Sequence, residues 1–265
     1  QGYETLPNIV NMNYFETKNV AERYEKGRPF FHANTMEKIK NYLGQTTKFD
    51  KALDIACGTG LSTKALLALA EQVYGTDISE EMLNLAYKDK KIIYTIATAE
   101  NQPFENNTFN LVTVSSGVHW FDIELFLKEC NRISKPKSWL ILYENYFISE
   151  MQDVEEFSAW FPDSYCQKYP SPPRQNNYAW SDENLKSKNF RFDNEQIFKN
   201  EVEFTIDELI LYFTTQSNIT SQIEKKETSY QEVEHWLQKE LKPFFTKEKR
   251  TINYGNWIKY LQKLD

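Results

Sequence analysis

Cysteine is scarce: Cys57, Cys130 and Cys166 are the only three in 265 residues, far apart, with no CxxC spacing and no histidine nearby. That pattern argues against a disulfide framework or a zinc site and makes a reducing, cytoplasmic setting the expectation. Histidine is equally scarce, with His32, His119 and His235 the full complement, and no metal site is expected. Basic charge is in deficit, with 31 Lys and Arg against 38 Asp and Glu and a net charge of −7. A general nucleic-acid binder presents a basic face, so this balance argues against one. No apolar run approaches the ~20 residues that a membrane helix needs. The first residues lack the basic-then-apolar layout of a secretory leader. They begin Gln-Gly without a Met, so residues 1–14 read as an N-terminal extension or an expression remnant. Internal repeats and low-complexity tracts are absent as well.

What is present is a globular composition, 40% hydrophobic and 15% aromatic, with enough length for one sizeable core over residues 15–265. Short apolar runs alternate with helical patterns. The runs are KALDIA (51–56), VYGTD (73–77), IIYTIA (92–97), FNLVTVSS (109–116) and SWLILYENYF (138–147). Between them lie LSTKALLALAEQ (61–72), a helix capped by Ser79, and one capped by Asp122 with Ile123, Phe126, Leu127, Cys130 and Ile133 on one face. Near-continuous apolar strands joined by amphipathic helices indicate a parallel sheet covered on both faces. From about 148 to 195 the pattern breaks into prolines and aromatics, read equally as an irregular insertion or as a lid. Regularity returns with a strand over 196–205, a Thr205/Glu208 capping box, a helix over YQEVEHWLQKEL and a last strand over 251–262. The fold class is therefore α/β, Rossmann-like: a seven-stranded, mostly parallel sheet with helices on both faces and a cap-like insertion.

At the first strand–helix junction stands LDIACGTG (53–60). Glycines there let the backbone approach a ligand, and Asp77, about 20 residues on at the end of the second strand, suits the two hydroxyls of a ribose. A dinucleotide loop would carry a third glycine where Thr63 stands, and the Asp54 carboxylate would repel a pyrophosphate. A ribose-bearing, cationic, phosphate-free cofactor meets neither objection.

DIACGTG resembles the D/E-x-G-x-G-x-G motif of class I S-adenosylmethionine (SAM)-dependent methyltransferases, with Ala56 in place of the first glycine. YGTDIS, TAENQPF and SSGVHWFD resemble the later motifs of the UbiE-like, methyltransferase-11 branch, with Thr98 where that branch has an acid. AERYEKGRPFF (21–31) is similar to the segment preceding the domain in that branch, including trans-aconitate methyltransferase-like enzymes. The resemblance implies SAM as cofactor and S-adenosylhomocysteine (SAH) as its product. It implies a cofactor set of Tyr24, Arg28, Asp54, Ala56, Gly58, Gly60, Asp77, Ile78, Met82, Thr98, Ala99, Glu100 and Ser115. Asp54 either helps hold the methionine end or orders the loop. Arg28 meets the methionine carboxylate or a substrate carboxylate, or is an exposed helix-end residue. His119 and Trp120 are the candidate catalytic pair, with a pocket wall favoured over a general base for His119. Cys57 reads as a small residue that fits the loop, and His32 and His235 as structural or solvated. The expected reaction is methyl transfer to a small-molecule oxygen, of a carboxylate or hydroxyl, by a monomer or homodimer without general nucleic-acid or membrane binding. A tRNA- or protein-directed methyltransferase and a non-catalytic SAM-binding module remain the alternatives.

Overall fold

The computed structural model describes residues 27–171 and 178–265. Seven strands form one sheet in the order β3-β2-β1-β4-β5-β7-β6. They are β1 (Phe49–Ile55), β2 (Ala70–Asp77), β3 (Ile92–Ile96), β4 (Phe109–Ser115), β5 (Ser134–Met151), β6 (Phe190–Phe204) and β7 (Arg250–Lys263). β1 pairs in parallel with β2 and β4, β2 with β3, and β4 with β5, whereas β7 runs antiparallel to both β5 and β6. The strand order reverses between β1 and β4, the place where an open α/β sheet leaves a crevice beyond its carboxyl ends.

Helix α1 (His32–Tyr42) and α2 (Leu61–Leu66) bury Met36, Ile39 and Leu66 on one sheet face with Val73, Leu111 and Ile141. After β2 comes α3 (Glu80–Leu85), whose cap Ser79 accepts the Met82 N–H. On the other face α4 (Ile123–Ile133), capped by Asp122, seats Phe126, Leu127, Cys130 and Ile133 against Leu53, Val112 and Leu140. The expected helix over 61–72 stops at Leu66, and Ala70 already begins β2. Register explains the difference, since Phe49 of β1 pairs with Ala70 and Lys51 with Gln72. Tertiary pairing outweighs the helical propensity of that run.

The break after β5 contains α5 (Glu156–Trp160), a π-helical turn over Phe161–Tyr165, a helical turn over Cys166–Lys168 and α6 (Asp182–Lys186). β6 begins at Phe190 instead of Gln196, because Phe190 and Arg191 already pair with Lys263 and Gln262. The connection from β6 to β7 adds α7 (Ile206–Thr214), α8 (Ser217–Glu224) and α9 (Tyr230–Leu241). Capping boxes at Thr205/Glu208 and Ser229/Glu232 start α7 and α9. Phe157, Trp160 and Tyr165 share one core with Leu209, Phe213, Val233 and Leu237. The cap is thus built from two connections, of which the sequence pattern marked only the first.

Candidate cofactor and acceptor site

β1 delivers the chain into a loop in which Ala56, Gly58 and Gly60 all take positive φ, at 57°, 52° and 75°. The Gly58 N–H donates to Asp77 Oδ2 at 2.8 Å and the Ser79 N–H to Oδ1 at 2.9 Å. Half-buried Asp77 is therefore oriented by backbone donors on both oxygens, with its outer side on the cavity. Burial raises its carboxyl, while those N–H groups stabilise the anion.

Asp54 lies beneath the loop and does not line the cavity. It is fully buried, and its oxygens accept from Ser62 Oγ at 2.5 Å, Thr63 Oγ1 at 2.8 Å and Thr113 Oγ1 at 3.0 Å. Burial pushes its carboxyl up to about 6 even against those three hydroxyls. Of the two expectations for this acid, the geometry is that of a loop anchor. Gly60 also faces away from the cavity, where a Cβ would collide with Tyr94 Oη. Its role is conformational. Cys57 is buried with its thiol raised by desolvation, as an inert residue requires. His32 is buried as well, beside the Tyr143 hydroxyl at 3.1 Å, and burial lowers its imidazole to about 3.

The other expected residues converge. Arg28, Ala56, Gly58, Asp77, Ile78, Met82, Thr98, Ala99, Glu100, Ser115, His119 and Trp120 all line one cavity of about 840 Å³. Tyr24 falls outside the described residues. The Thr98–Phe104 loop is held from behind by Arg132, which donates to the Gln102 carbonyl at 2.9 Å and the Phe104 carbonyl at 2.6 Å. Glu129 accepts the Gln102 N–H at 2.7 Å and pairs with the same guanidinium, whose hydrogen bonds lower its carboxyl. His119 and Trp120 sit on a 3₁₀ turn after β4, their rings 4.8 Å apart. The Arg28 guanidinium donates to the Thr215 carbonyl at 3.2 Å and lies 5.4 Å from the Tyr212 ring. Both of these contacts are with the cap.

Residues the sequence did not single out complete the walls: Glu144, Asn145, Tyr146 and Phe147 in the second half of β5, Trp257 on β7, and cap residues from the π-helical turn and α7. Only Phe161 and Tyr165 carried a prior signal, as members of the aromatic-rich break. A side cavity of about 70 Å³ opens between Arg28, Gly58, Thr59, Ser115 and Asn145. Thr59 Oγ1 and Asn145 Oδ1 are buried there without a hydrogen-bond partner among the described residues. Buried polar atoms of this kind call for a ligand or ordered water.

SAM fits this donor set. Asp77 suits ribose hydroxyls, and Gly58, where a Cβ would stand 3.2 Å from the Met82 methyl, leaves the room a close-lying ligand needs. Arg28 and the Thr59 and Asn145 oxygens offer one cation and two acceptors to a zwitterionic amino-acid end.

Comparison with known proteins agrees. Residues 53–142 match a family model described as a methyltransferase domain. A demethylmenaquinone methyltransferase of Staphylococcus saprophyticus is 35% identical over 102 residues, covering 36% of this chain and 44% of that protein. The Staphylococcus carnosus counterpart is 30% identical over 151 residues, covering 48% and 63%. The chain thus spans roughly half the length of these curated relatives. Among solved structures, a provisionally assigned type II methyltransferase from Anaeromyxobacter dehalogenans superposes with a TM-score of 0.63 at 17% identity, over 88% of this chain and 95% of that one. Phosphoethanolamine N-methyltransferase 2 of Haemonchus contortus, in complex with SAM, gives 0.53 at 18% identity, over 99% and 60%. At such identities these two likenesses establish the fold. Residues 53–142 thus match a methyltransferase domain, carried on the fold that these two structures share.

Proposed function

We propose that the protein transfers the methyl group of SAM to an oxygen of a small-molecule acceptor. The observation that carries this reading is Asp77, fixed by the Gly58 and Ser79 N–H groups at the rim of a cavity that continues past His119 into the cap. SAM supplies an electrophilic methyl on a sulfonium, so the leaving group arrives already activated. The chain's own contribution is alignment, charge environment and exclusion of water. Asp77 holds the ribose, the Thr98–Glu100 segment frames the adenine, and Arg28 with Thr59 and Asn145 receives the amino-acid end. The cap covers the acceptor. A carboxylate acceptor is already ionised near neutral pH, whereas a hydroxyl must lose a proton and gains from a base.

Calorimetric titration with SAM tests the cofactor assignment. We expect saturable binding by the full chain and its loss in Asp77→Ala. Affinity unchanged in that variant would overturn the assignment. Release of SAH in the presence of an oxygen acceptor then tests turnover.

A further inference from the structure

The far half of the cavity has a chemistry of its own. Its walls are Phe147 from the second half of β5, Phe161 and Tyr165 from the π-helical turn, and Tyr212 and Phe213 from α7. The rings contact one another, with Phe147 and Phe161 4.7 Å apart, Tyr165 and Phe213 4.7 Å apart, and Phe161 stacked on Tyr165 at 13°. All five lie outside residues 53–142 that match the family model. Four of them belong to this chain's cap and Phe147 to the part of β5 beyond the matched domain.

Charge separates the possible occupants. Among the described lining residues the carboxylates are Asp77, Glu100 and Glu144, and Arg28 is the single cation, with no lysine. Arg28 already serves the Thr215 carbonyl and faces the Tyr212 ring. A polycarboxylate entering this cavity would be desolvated against an acidic, aromatic wall with no second cation to receive it. A flat neutral ring loses little hydration there and gains offset or edge contacts with rings of the cap. A π-helical turn also fits, because such turns place extra side chains at functional sites.

We infer that the acceptor is an uncharged, planar aromatic molecule bearing a hydroxyl, recognised by the cap rings, and that carboxylates are not accepted. The inference rests on the methyltransferase reading and narrows it. A phenolic hydroxyl has a proton to lose, and the His119 imidazole on the same cavity is the group placed to take it.

The test uses 2-naphthol and 2-naphthoate, which share a ring and differ in hydroxyl against carboxylate, with citrate as a polyanion. Each is titrated calorimetrically into the full chain, alone and saturated with SAH. We expect 2-naphthol to bind at least tenfold tighter than 2-naphthoate, and citrate to give no heat. Phe161→Leu, a half-buried and conservative change, should weaken 2-naphthol about tenfold while leaving SAH affinity within twofold. Equal or tighter binding of naphthoate or citrate, absence of naphthol binding, or naphthol binding indifferent to Phe161→Leu would each overturn the inference. The titrations without SAH keep the outcome independent of the cofactor assignment, which fails separately if SAH and SAM do not bind.

Discussion

Asp54 and Asp77 stand on neighbouring, consecutive strands, β1 and β2, and their surroundings assign them opposite work. Asp77 presents an oriented anion to the cavity. Two charge-assisted bonds to ribose hydroxyls are worth roughly 1.5–3 kcal/mol each, so Asp77→Ala should lower SAM affinity by about 10² or more, read by calorimetry. Asp54 is a buried acid held up to about 6 from an ordinary 3.8. The folded chain therefore keeps a proton on it that the unfolded chain has lost between those two pH values. Its contribution to stability falls as pH rises through that window and stays low above it, by about 3 kcal/mol in all. Asp54→Asn removes the titration, so relative to wild type the variant should gain stability by about that amount from pH 4 to pH 7 in urea unfolding. A difference that does not change with pH would contradict the burial account. His119 takes its role from the acceptor. With a phenolic one, His119→Ala should slow transfer about 10²-fold or more and erase the acid limb of the rate profile, while SAM affinity stays within a few-fold.

At the scale of elements, the site depends on segments that never touch the ligand cavity. Arg132 and Glu129 on α4 staple the loop that follows Thr98, with five bonds to its backbone or to each other. Arg132→Ala should cost about tenfold in SAM affinity through loop mobility, with a smaller loss of stability. Arg132→Lys should not restore it, since an ammonium cannot fork between two carbonyls. Local signals were the most legible part of the sequence. Ser79, Asp122 and the Thr205/Glu208 pair are caps where their side-chain chemistry said they would be. The glycine loop was legible because its spacing, flanking strand and distant acid agree. The short α2 was not, because β1 recruits Ala70 and Gln72 into β2 by register, which no local propensity announces. Nor was Asn145, an unremarkable amide on an apolar strand until the neighbouring β4 loop and Arg28 surround it. The π-helical turn is equally invisible, since one extra residue per turn leaves no period to detect.

Among the described residues the sheet carries two cores on its faces and a third in the cap. The alternating first half announced the sheet. The cap's second contribution, α7 to α9, was hidden because amphipathic helices between strands look alike whether they cover a sheet or a pocket. The order of the last strands matters most for stability. β7 runs between β5 and β6 and, among the described residues, is the only strand paired with β6. Deleting residues 250–265 should therefore abolish cooperative unfolding of the cap and not merely shorten the sheet. A single sharp near-ultraviolet transition in the truncated chain would contradict this.

That arrangement has a consequence during synthesis. β6 emerges before β7 but has no seat on the sheet until β7 has been made. While the ribosome is still adding those residues, the nucleotide-binding half can close early, whereas the long strand and the three helices around the aromatic pocket must wait. On the proposed function, the growing chain would complete the donor end of its cavity before the acceptor end.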